Sequence, residues 1–351
     1  MALRFFLGAN TKTGFFSLYP RLKSEPIRRV DCIKGGPGCG KSTCMAHLFE
    51  AVPGGKEEIF CSSDPDSLDG VIWADAALLD GTAPHLFDPA LPGCDGDYLT
   101  PPPFVRSDML AEKREALAAL RAAISVEYAR AYRLLAASAL VREERRQQAL
   151  PFCRTETLQK RAEGLLRREI PRKPGASAVR YRFLEGYTPK GKLCFWDTVT
   201  ACAARVIALE DDFGAGEGLL RRLLEGAQAH GQEVYACLDP LEPEKLRHLL
   251  LPGCGLAFVT RESGETLPFS PARTIHLSAT RQLPRALRGQ LRLLAHTERA
   301  LTEDAISCLA AAHRLHEKLE AHYRPHLDLP ALEQWMRGLE VRFSSEAGEA
   351  R

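Results

Sequence analysis

Apolar residues near the start of the chain fall into short runs typical of strands and one stretch at helical spacing. The runs at 29–34, 58–61 and 76–80 predict three strands, and the last of them ends in an aspartate. Between the first two, 43–52 places apolar residues at helical intervals until Pro53 ends the pattern, which predicts a helix. The beginning of the chain therefore has the strand–loop–helix–strand order of an α/β protein.

The middle of the chain carries a long helical pattern. From 107 to 150 there is neither glycine nor proline, and apolar residues recur at threes, fours and sevens. A single helix of this length would reach about 60 Å, too long for a compact α/β layer. After Pro151, 155–170 predicts a return helix, so 107–170 is expected to project from the core as a helical hairpin. Its basic residues are interleaved with acidic ones, which favours a solvated face or a protein-docking surface over a nucleic-acid track.

The second half of the chain repeats features of the first at an offset of about 176 residues. Matching positions are Phe6 and Phe183, Arg29 and Arg205, and Ile59 and Val234. A segment rich in proline and basic residues at 171–177 predicts a linker between the copies. The repeat therefore predicts two domains, 1–175 and 176–351, with further helices at the end of the second.

Composition and charge are those of an ordinary globular protein. The 351 residues are 45% hydrophobic and 26% charged, with a net charge of +2. This balance gives no electrostatic signal for nucleic acid or an anionic membrane, and no apolar run reaches the roughly 18 residues of a membrane span. The eleven cysteines include no Cys-x-x-Cys pair, so we expect them to be reduced, which favours a cytoplasmic protein.

A glycine-rich loop between the first predicted strand and helix matches the phosphate-binding pattern G-x-x-x-x-G-K-[ST] at every position. Its glycines let the backbone wrap tightly and turn N–H groups toward an anion. Lys41 would reach the β- and γ-phosphates of a nucleotide, and the Ser42 hydroxyl would bind Mg²⁺. The predicted nucleotide-binding residues are Gly35, Gly36, Pro37, Gly38, Cys39, Gly40, Lys41, Ser42 and Thr43. Two interpretations of Cys39 stay open. A thiolate is favoured at a helix N-terminus, so Cys39 could be a site of redox control; alternatively, it occupies a position of the pattern that any residue can take.

Carboxylates after the neighbouring strands are candidates for metal binding and catalysis. Asp80 closes a buried strand, where P-loop proteins hold Mg²⁺ through water, so we predict that it binds the metal and acts in catalysis with Lys41. Asp64 and Asp66, also predicted to be catalytic, and His85 follow strand ends and are expected to face the nucleotide. No glutamate follows Asp80, and the residue that activates water is therefore not identified.

The corresponding loop in the second half has lost this chemistry. Asp211 and Asp212 stand where the first loop has two glycines, and Glu217 stands at the lysine position. Three carboxylates beside a triphosphate would repel it by several kcal/mol in a partly desolvated site. The second half is therefore expected to support or regulate the first without binding nucleotide.

Four segments of the sequence together carry a family resemblance. They are Phe6-Leu7-Gly8-Ala9-Asn10-Thr11, the loop from Lys34 to Thr43, Cys61 to Asp69, and Asp80 to His85. With them the chain resembles an uncharacterised bacterial family of tandem P-loop NTPases, whose members are labelled ATPase or nucleotide kinase by analogy. The resemblance covers nearly the whole chain. It implies an α/β fold of two tandem three-layer α/β/α domains with parallel sheets, each carrying a helical hairpin or tail.

Three functions are compatible with these features. The first is Mg²⁺-dependent ATP hydrolysis in the N-terminal half, with ATP preferred over GTP because no Asn-Lys-x-Asp guanine motif occurs. The second is a kinase that moves the γ-phosphoryl group to a nucleotide or small molecule. The third is a non-catalytic scaffold in which nucleotide binding clamps the two halves and the hairpin engages a protein partner.

Overall fold

The computed structural model describes residues 2–105, 107–153, 155–277 and 283–349. Within these residues the chain forms two six-stranded sheets, two small hairpins and eight α-helices. None of the helices described combines the length and the apolar character that crossing a membrane requires. All eleven cysteines lie in the described part of the chain, and all are free thiols.

The first half of the chain supplies one six-stranded sheet. Its elements are, in chain order, β1 (Leu3–Phe6), β2 (Gly8–Thr11), β3 (Gly14–Ser17), β4 (Arg29–Ile33), α1 (Lys41–Ala51), β5 (Glu57–Cys61), β6 (Asp64–Ile72), β7 (Ala76–Asp80), β8 (Tyr98–Leu99), α2 (Ser107–Glu112), α3 (Arg114–Ala149) and α4 (Thr155–Glu169). β2 and β3 form a separate hairpin, and the other six strands lie in the order β1-β5-β6-β7-β4-β8. All neighbours in this sheet are parallel except β6, which is antiparallel to both β5 and β7.

The antiparallel strand β6 corrects one expectation, because the sheet is mixed rather than all parallel. β6 lies between the strands predicted at 58–61 and 76–80 and was not itself predicted. Only Ser62 and Ser63 join β5 to β6, and so short a connection turns the chain back as an antiparallel hairpin. Gly70 allows close packing in the middle of β6, because a Cβ there would lie 2.7 Å from Leu79 Cδ2. The sheet therefore gains a central strand that reverses the chain direction.

The second half builds a sheet of the same topology. Its elements are β9 (Val179–Arg182), β10 (Glu185–Thr188), β11 (Gly191–Cys194), α5 (Trp196–Cys202), β12 (Arg205–Glu210), α6 (Glu217–Ala229), β13 (Val234–Leu238), β14 (Leu246–Leu251), β15 (Leu256–Arg261), β16 (Arg273–His276), α7 (Arg285–Tyr323) and α8 (Leu329–Glu349). The order β9-β13-β14-β15-β12-β16 repeats that of the first sheet, and β14 is antiparallel to both its neighbours, as β6 is. α6 follows β12 in the second half as α1 follows β4 in the first.

The two halves share one buried core. Phe6 and Phe183, at matching positions of the repeat, donate backbone hydrogen bonds to each other's carbonyl oxygens at 2.9 Å. Beside them Arg182, whose side chain is 0% exposed, donates to Glu25 and Glu57 of the first half at 2.6 Å each. A buried charge of this kind is tolerated only when it is fully paired, so the halves are held together by polar as well as apolar contacts.

The long helices correct a further expectation, because α3 packs along α7 and not beside α4. Ala131 and Leu135 of α3 lie buried in one cluster with Ala305 and Leu309 of α7. The projecting hairpin predicted over 107–170 is therefore wrong. The reason is length: α3 has 36 residues and α7 has 39, whereas α4 has only 15 and cannot cover the apolar stripe of α3.

The last helix of each half packs on the opposite half. α4 lies against α6 of the second half, and α8 lies against α1 of the first. On the first half this contact buries Leu339 and Phe343 of α8 with Met45 and Leu48 of α1. α4 and α8 therefore each complete the core of the opposite half.

Candidate functional site

The glycine-rich loop joins β4 to α1, so the predicted strand, loop and helix occur in that order. Gly38 and Gly40 have φ angles of 66° and 88°, the left-handed region that favours glycine. Gly40 has a second constraint, because a Cβ there would lie 2.7 Å from Leu332 Cδ2 of α8. The backbone turn that begins α1 therefore depends on glycine at both positions.

Lys41 is the first residue of α1, and its ammonium group lies over the loop. Nζ donates to the carbonyl oxygens of Gly35 at 3.1 Å and Gly36 at 3.0 Å. It also lies 3.6 Å from Oδ2 of Asp80, and both side chains are more than four-fifths buried. Asp80 reaches this position because β7 is parallel to β4, with Asp80 in register with Ile33, the last residue before the loop. The structure therefore brings the predicted lysine and the predicted metal-binding aspartate together.

Ser42 and Asp80 are held by further hydrogen bonds. Ser42 Oγ accepts a hydrogen bond of 2.8 Å from the backbone N–H of Leu68, on β6. Asp80 Oδ1 accepts two from Thr82, one of 2.9 Å from the backbone N–H and one of 2.5 Å from the hydroxyl, and Oδ2 is directed at Lys41. An alcohol and a carboxylate beside a glycine-rich loop are oxygen ligands of the type that Mg²⁺ prefers.

Asp64 and Asp66 lie at the beginning of β6. Asp64 Oδ2 accepts a 2.6 Å hydrogen bond from Ser67 Oγ, and the exposed Asp66 accepts one of 2.6 Å from Nζ of Lys190 in the second half. Neither carboxylate has a hydrogen bond or ion pair with the residues that surround the Lys41 ammonium group. Their catalytic role stays a prediction.

Cys39 points into the loop rather than toward solvent. Its sulfur would lie 2.6 Å from a Cβ placed on Gly35, and the residue is 4% exposed. Burial raises the pKa of the Cys39 thiol above its ordinary value, although the nearby Lys41 charge opposes this shift. The thiolate that a helix N-terminus was expected to favour is therefore disfavoured here, and Cys39 acts as a small apolar filler of the loop.

Residues of α7 border the loop, and sequence reasoning missed them. Oε1 of Glu320 accepts a 3.2 Å hydrogen bond from the backbone N–H of Gly38, and Oε2 accepts one of 2.8 Å from Arg324. The hydrogen bond with His316 is the largest cause that lowers the pKa of Glu320 to about 2. No local pattern marks these residues, because they lie some 280 residues from the loop in sequence.

The second loop, between β12 and α6, holds an anion of its own. Oδ1 of Asp211 accepts hydrogen bonds from the backbone N–H groups of Phe213 at 3.2 Å and Ala215 at 3.0 Å, and Oδ2 accepts one of 2.7 Å from Gly216. The carboxylate is 6% exposed. Backbone N–H groups that a phosphate would use in a P-loop therefore bind this side chain instead.

The lysine position of the second loop carries no cation. Glu217 begins α6 and accepts a 3.0 Å hydrogen bond from Arg221, one turn later on the same helix. From α3, Arg145 donates to the backbone carbonyl of Asp212 in this loop. The ends of α3 and α7 thus reach the two loops in a reciprocal manner, each touching the loop of the other half.

His85 lies in a different place from the one expected. It is 5% exposed, and its Nε2 lies 3.1 Å from Oδ2 of Asp69. Burial is the main cause that raises the pKa of Asp69 to about 6, and it also raises the pKa of the neighbouring Cys61 thiol. His85 is therefore part of a separate buried cluster, and the residue that activates water at the first loop stays unidentified.

No protein-family model matches this chain, and neither the curated proteins nor the solved structures include a match. The function of the chain is therefore inferred from the geometry of its two loops.

Proposed function

We propose that the first half of the chain is a P-loop NTPase-type domain that binds ATP with Mg²⁺ and hydrolyses it. One observation carries the proposal: a lysine at the start of a helix after a glycine-rich loop lies 3.6 Å from the aspartate that ends the adjacent parallel strand. Lys41 and Asp80 are widely separated in sequence, and the phosphate site of P-loop enzymes requires both groups together.

Each residue of the loop has a role in this proposal. The backbone N–H groups from Gly35 to Thr43 surround the β-phosphate, and the positive end of α1 favours its charge. Lys41 leaves the carbonyl oxygens of the loop to bind the β- and γ-phosphates. Ser42 and Asp80 would hold Mg²⁺, which neutralises charge on the phosphate oxygens when it is bound.

The second half has a structural role around this site and does not bind nucleotide itself. Asp211 occupies the N–H groups of its own loop, and Glu217 would repel a triphosphate there. In return, Arg324, which directly follows α7 in the second half, lies next to the first loop, where its aliphatic Cγ would lie 3.7 Å from a Cβ on Gly38. An arginine in that position can reach the γ-phosphate once Glu320 releases it.

Nucleotide binding is tested by isothermal titration calorimetry of the full chain with ATP and Mg²⁺. Lys41→Ala removes a charge-assisted contact of about 3 kcal/mol, so ATP affinity should fall about 100-fold. Glu217→Ala changes the matching position of the second loop and serves as the control, with affinity within about threefold of wild type. An equal loss in both variants, or no binding to the wild-type chain, would refute the proposal.

The reaction is tested by turnover of ATP labelled at the γ-phosphate, with and without nucleotides and small alcohols as acceptors. Release of inorganic phosphate that depends on Mg²⁺ and is lost in Asp80→Asn supports hydrolysis. Label transferred to an acceptor would identify a kinase instead. Tight binding without turnover would identify a nucleotide-gated scaffold.

A further inference from the structure

Three side chains with metal-binding atoms meet between the first sheet and the β2–β3 hairpin. Cys61 ends β5, Asp69 lies in β6, and His85 follows β7. One ligand atom from each lies within 4.8 Å of the others. These residues come from three separate strands or strand ends, so their convergence is produced by the fold and not by neighbouring positions in sequence.

The backbone directs Asp69 toward this cluster. Ile59 of β5 pairs with Gly70 of β6, whereas Phe60 pairs with Leu68, so Asp69 is an extra residue in a β-bulge. A bulge of this kind re-aims one side chain and is over-represented next to functional sites. Without the extra residue, the register of β6 would not present the Asp69 carboxylate as it does.

Two of the ligand groups have buried polar atoms without a hydrogen bond. Asp69 and His85 are each 5% exposed, and both Oδ2 of Asp69 and Nδ1 of His85 lack a hydrogen-bond partner among the described residues. His85 Nε2 is 3.1 Å from that Oδ2, but the two groups are not aligned as a hydrogen bond. Leaving such atoms unsatisfied costs about 1–3 kcal/mol for each.

The cluster also lacks a permanent positive charge opposite its carboxylate. Within the described residues, the basic group beside Asp69 is His85, which is charged only when it is protonated, and no lysine or arginine pairs with Asp69. A carboxylate this deeply buried is costly unless it is paired or bound to a metal. A divalent cation among the three groups would supply the missing charge and use the unsatisfied lone pairs.

Aromatic groups hold the imidazole in place. The ring of Tyr19 stacks on His85 with centroids 5.5 Å apart, and Phe15 meets it edge-on at 4.6 Å. The Tyr19 hydroxyl donates a 2.9 Å hydrogen bond to the backbone carbonyl of Asp69. Partners of this type around metal ligands fix the orientation of the ligands and exclude water.

We propose that Cys61, Asp69 and His85 bind a zinc ion. A thiolate, an imidazole and a carboxylate are the ligand types that zinc takes, and three protein ligands leave a fourth position for water or another small molecule. Hard cations such as Mg²⁺ prefer oxygen ligands alone, which excludes the cofactor of the first loop from this cluster. The site is distinct from the nucleotide site, although Leu68, next to Asp69, binds Ser42 through its backbone N–H.

The test is metal analysis of the purified full chain after dialysis against a weak chelator. We expect about one zinc ion per chain, and we expect Cys61→Ser and His85→Gln each to lower zinc affinity at least about 10-fold. Cys94→Ser changes an exposed cysteine and should keep the zinc. Asp80→Asn, which alters the proposed Mg²⁺ site, should also keep it, so failure of the nucleotide proposal would not be confused with failure of this one.

Cobalt replacement gives a second readout that does not depend on activity. Co²⁺ bound to the wild-type chain should show a thiolate-to-metal charge-transfer band that Cys61→Ser lacks. Added zinc should raise the melting temperature of the wild type but not that of His85→Gln, provided circular dichroism shows that the variant is folded. The proposal would be overturned if the wild-type chain held less than about 0.1 zinc ion after loading with zinc. It would also be overturned if both Cys61→Ser and His85→Gln retained zinc. The cluster would then be a buried Asp–His pair without a metal.

Discussion

Asp211 serves as an internal anion in the second loop, and its removal gives a direct test of how that loop is built. In Asp211→Ala, the N–H groups of Phe213, Ala215 and Gly216 lose their acceptor while they remain in a buried turn. The loop would then have a geometry suited to phosphate but no anion in it. We expect the variant to be folded, less stable, and newly responsive to phosphate.

The size of the effect follows from the three contacts. A hydrogen bond to a charged group contributes about 1.5–3 kcal/mol, but loop relaxation and entering water recover part of the loss, so about 3 kcal/mol is expected in total. If the whole chain of 351 residues unfolds cooperatively, that loss lowers its melting temperature by about 5 °C. Asp211→Asn keeps the shape, but it loses the charge and the oxygen that accepts from Gly216, so two of the three hydrogen bonds can remain and it should cost less than Asp211→Ala.

Thermal unfolding with and without inorganic phosphate measures both parts of this prediction. At a phosphate concentration ten times its Kd, the free energy of unfolding of Asp211→Ala should rise by about 1.4 kcal/mol. The wild type should not respond in this way at its second loop, because the carboxylate occupies the N–H groups. Sulfate should act like phosphate, since both are recognised by charge and by the directions of their oxygens.

Asp212→Ala is the matched control, because it removes the neighbouring carboxylate, which accepts hydrogen bonds from exposed Ser263. Its removal should cost less than about 1 kcal/mol and create no phosphate response. A free energy of unfolding of Asp211→Ala within about 0.5 kcal/mol of wild type would contradict this prediction. So would phosphate that stabilises Asp211→Ala no more than it stabilises Asp212→Ala.

Three further predictions follow from other contacts. Arg182→Ala should lower the free energy of unfolding by about 3–5 kcal/mol in denaturant titrations, because buried Glu57 would lose its ion pair and buried Glu25 would keep the longer one with Arg180, at 3.5 Å. Glu320→Gln should raise ATP affinity about fivefold in calorimetry, because it removes an anion beside the proposed phosphate site; unchanged affinity would place the phosphates elsewhere. The pKa of Glu320 is lowered to about 2, chiefly by its hydrogen bond with His316, so this carboxylate stabilises the fold above the ordinary glutamate pKa. The stability difference between wild type and Glu320→Gln should therefore shrink as the pH falls from about 4.5 to 2, and a difference that grows on acidification would contradict this.

The sequence by itself determined the local features of the first loop. Residues 35–43 are consecutive, and their glycines, lysine and serine prescribe a tight turn at a helix start whatever surrounds them. The sequence also predicted the position of Asp80, because an aspartate that ends an apolar run marks the end of a buried strand. The repeat likewise identified Glu217 and Asp211 as the residues that replace the lysine and a glycine in the second loop.

Only the tertiary structure decided which helices cover which half and what surrounds each loop. The sequence pattern predicts helices at these positions but does not say which of them pair, and the length that can be buried favours the pairing of the two longest, α3 and α7. The same packing brings Glu320 to Gly38, and a one-residue bulge in β6 brings Asp69 to Cys61 and His85. Such contacts depend on the relative placement of whole elements, because hydrophobic burial is non-directional and leaves no local mark on the residues that it brings together.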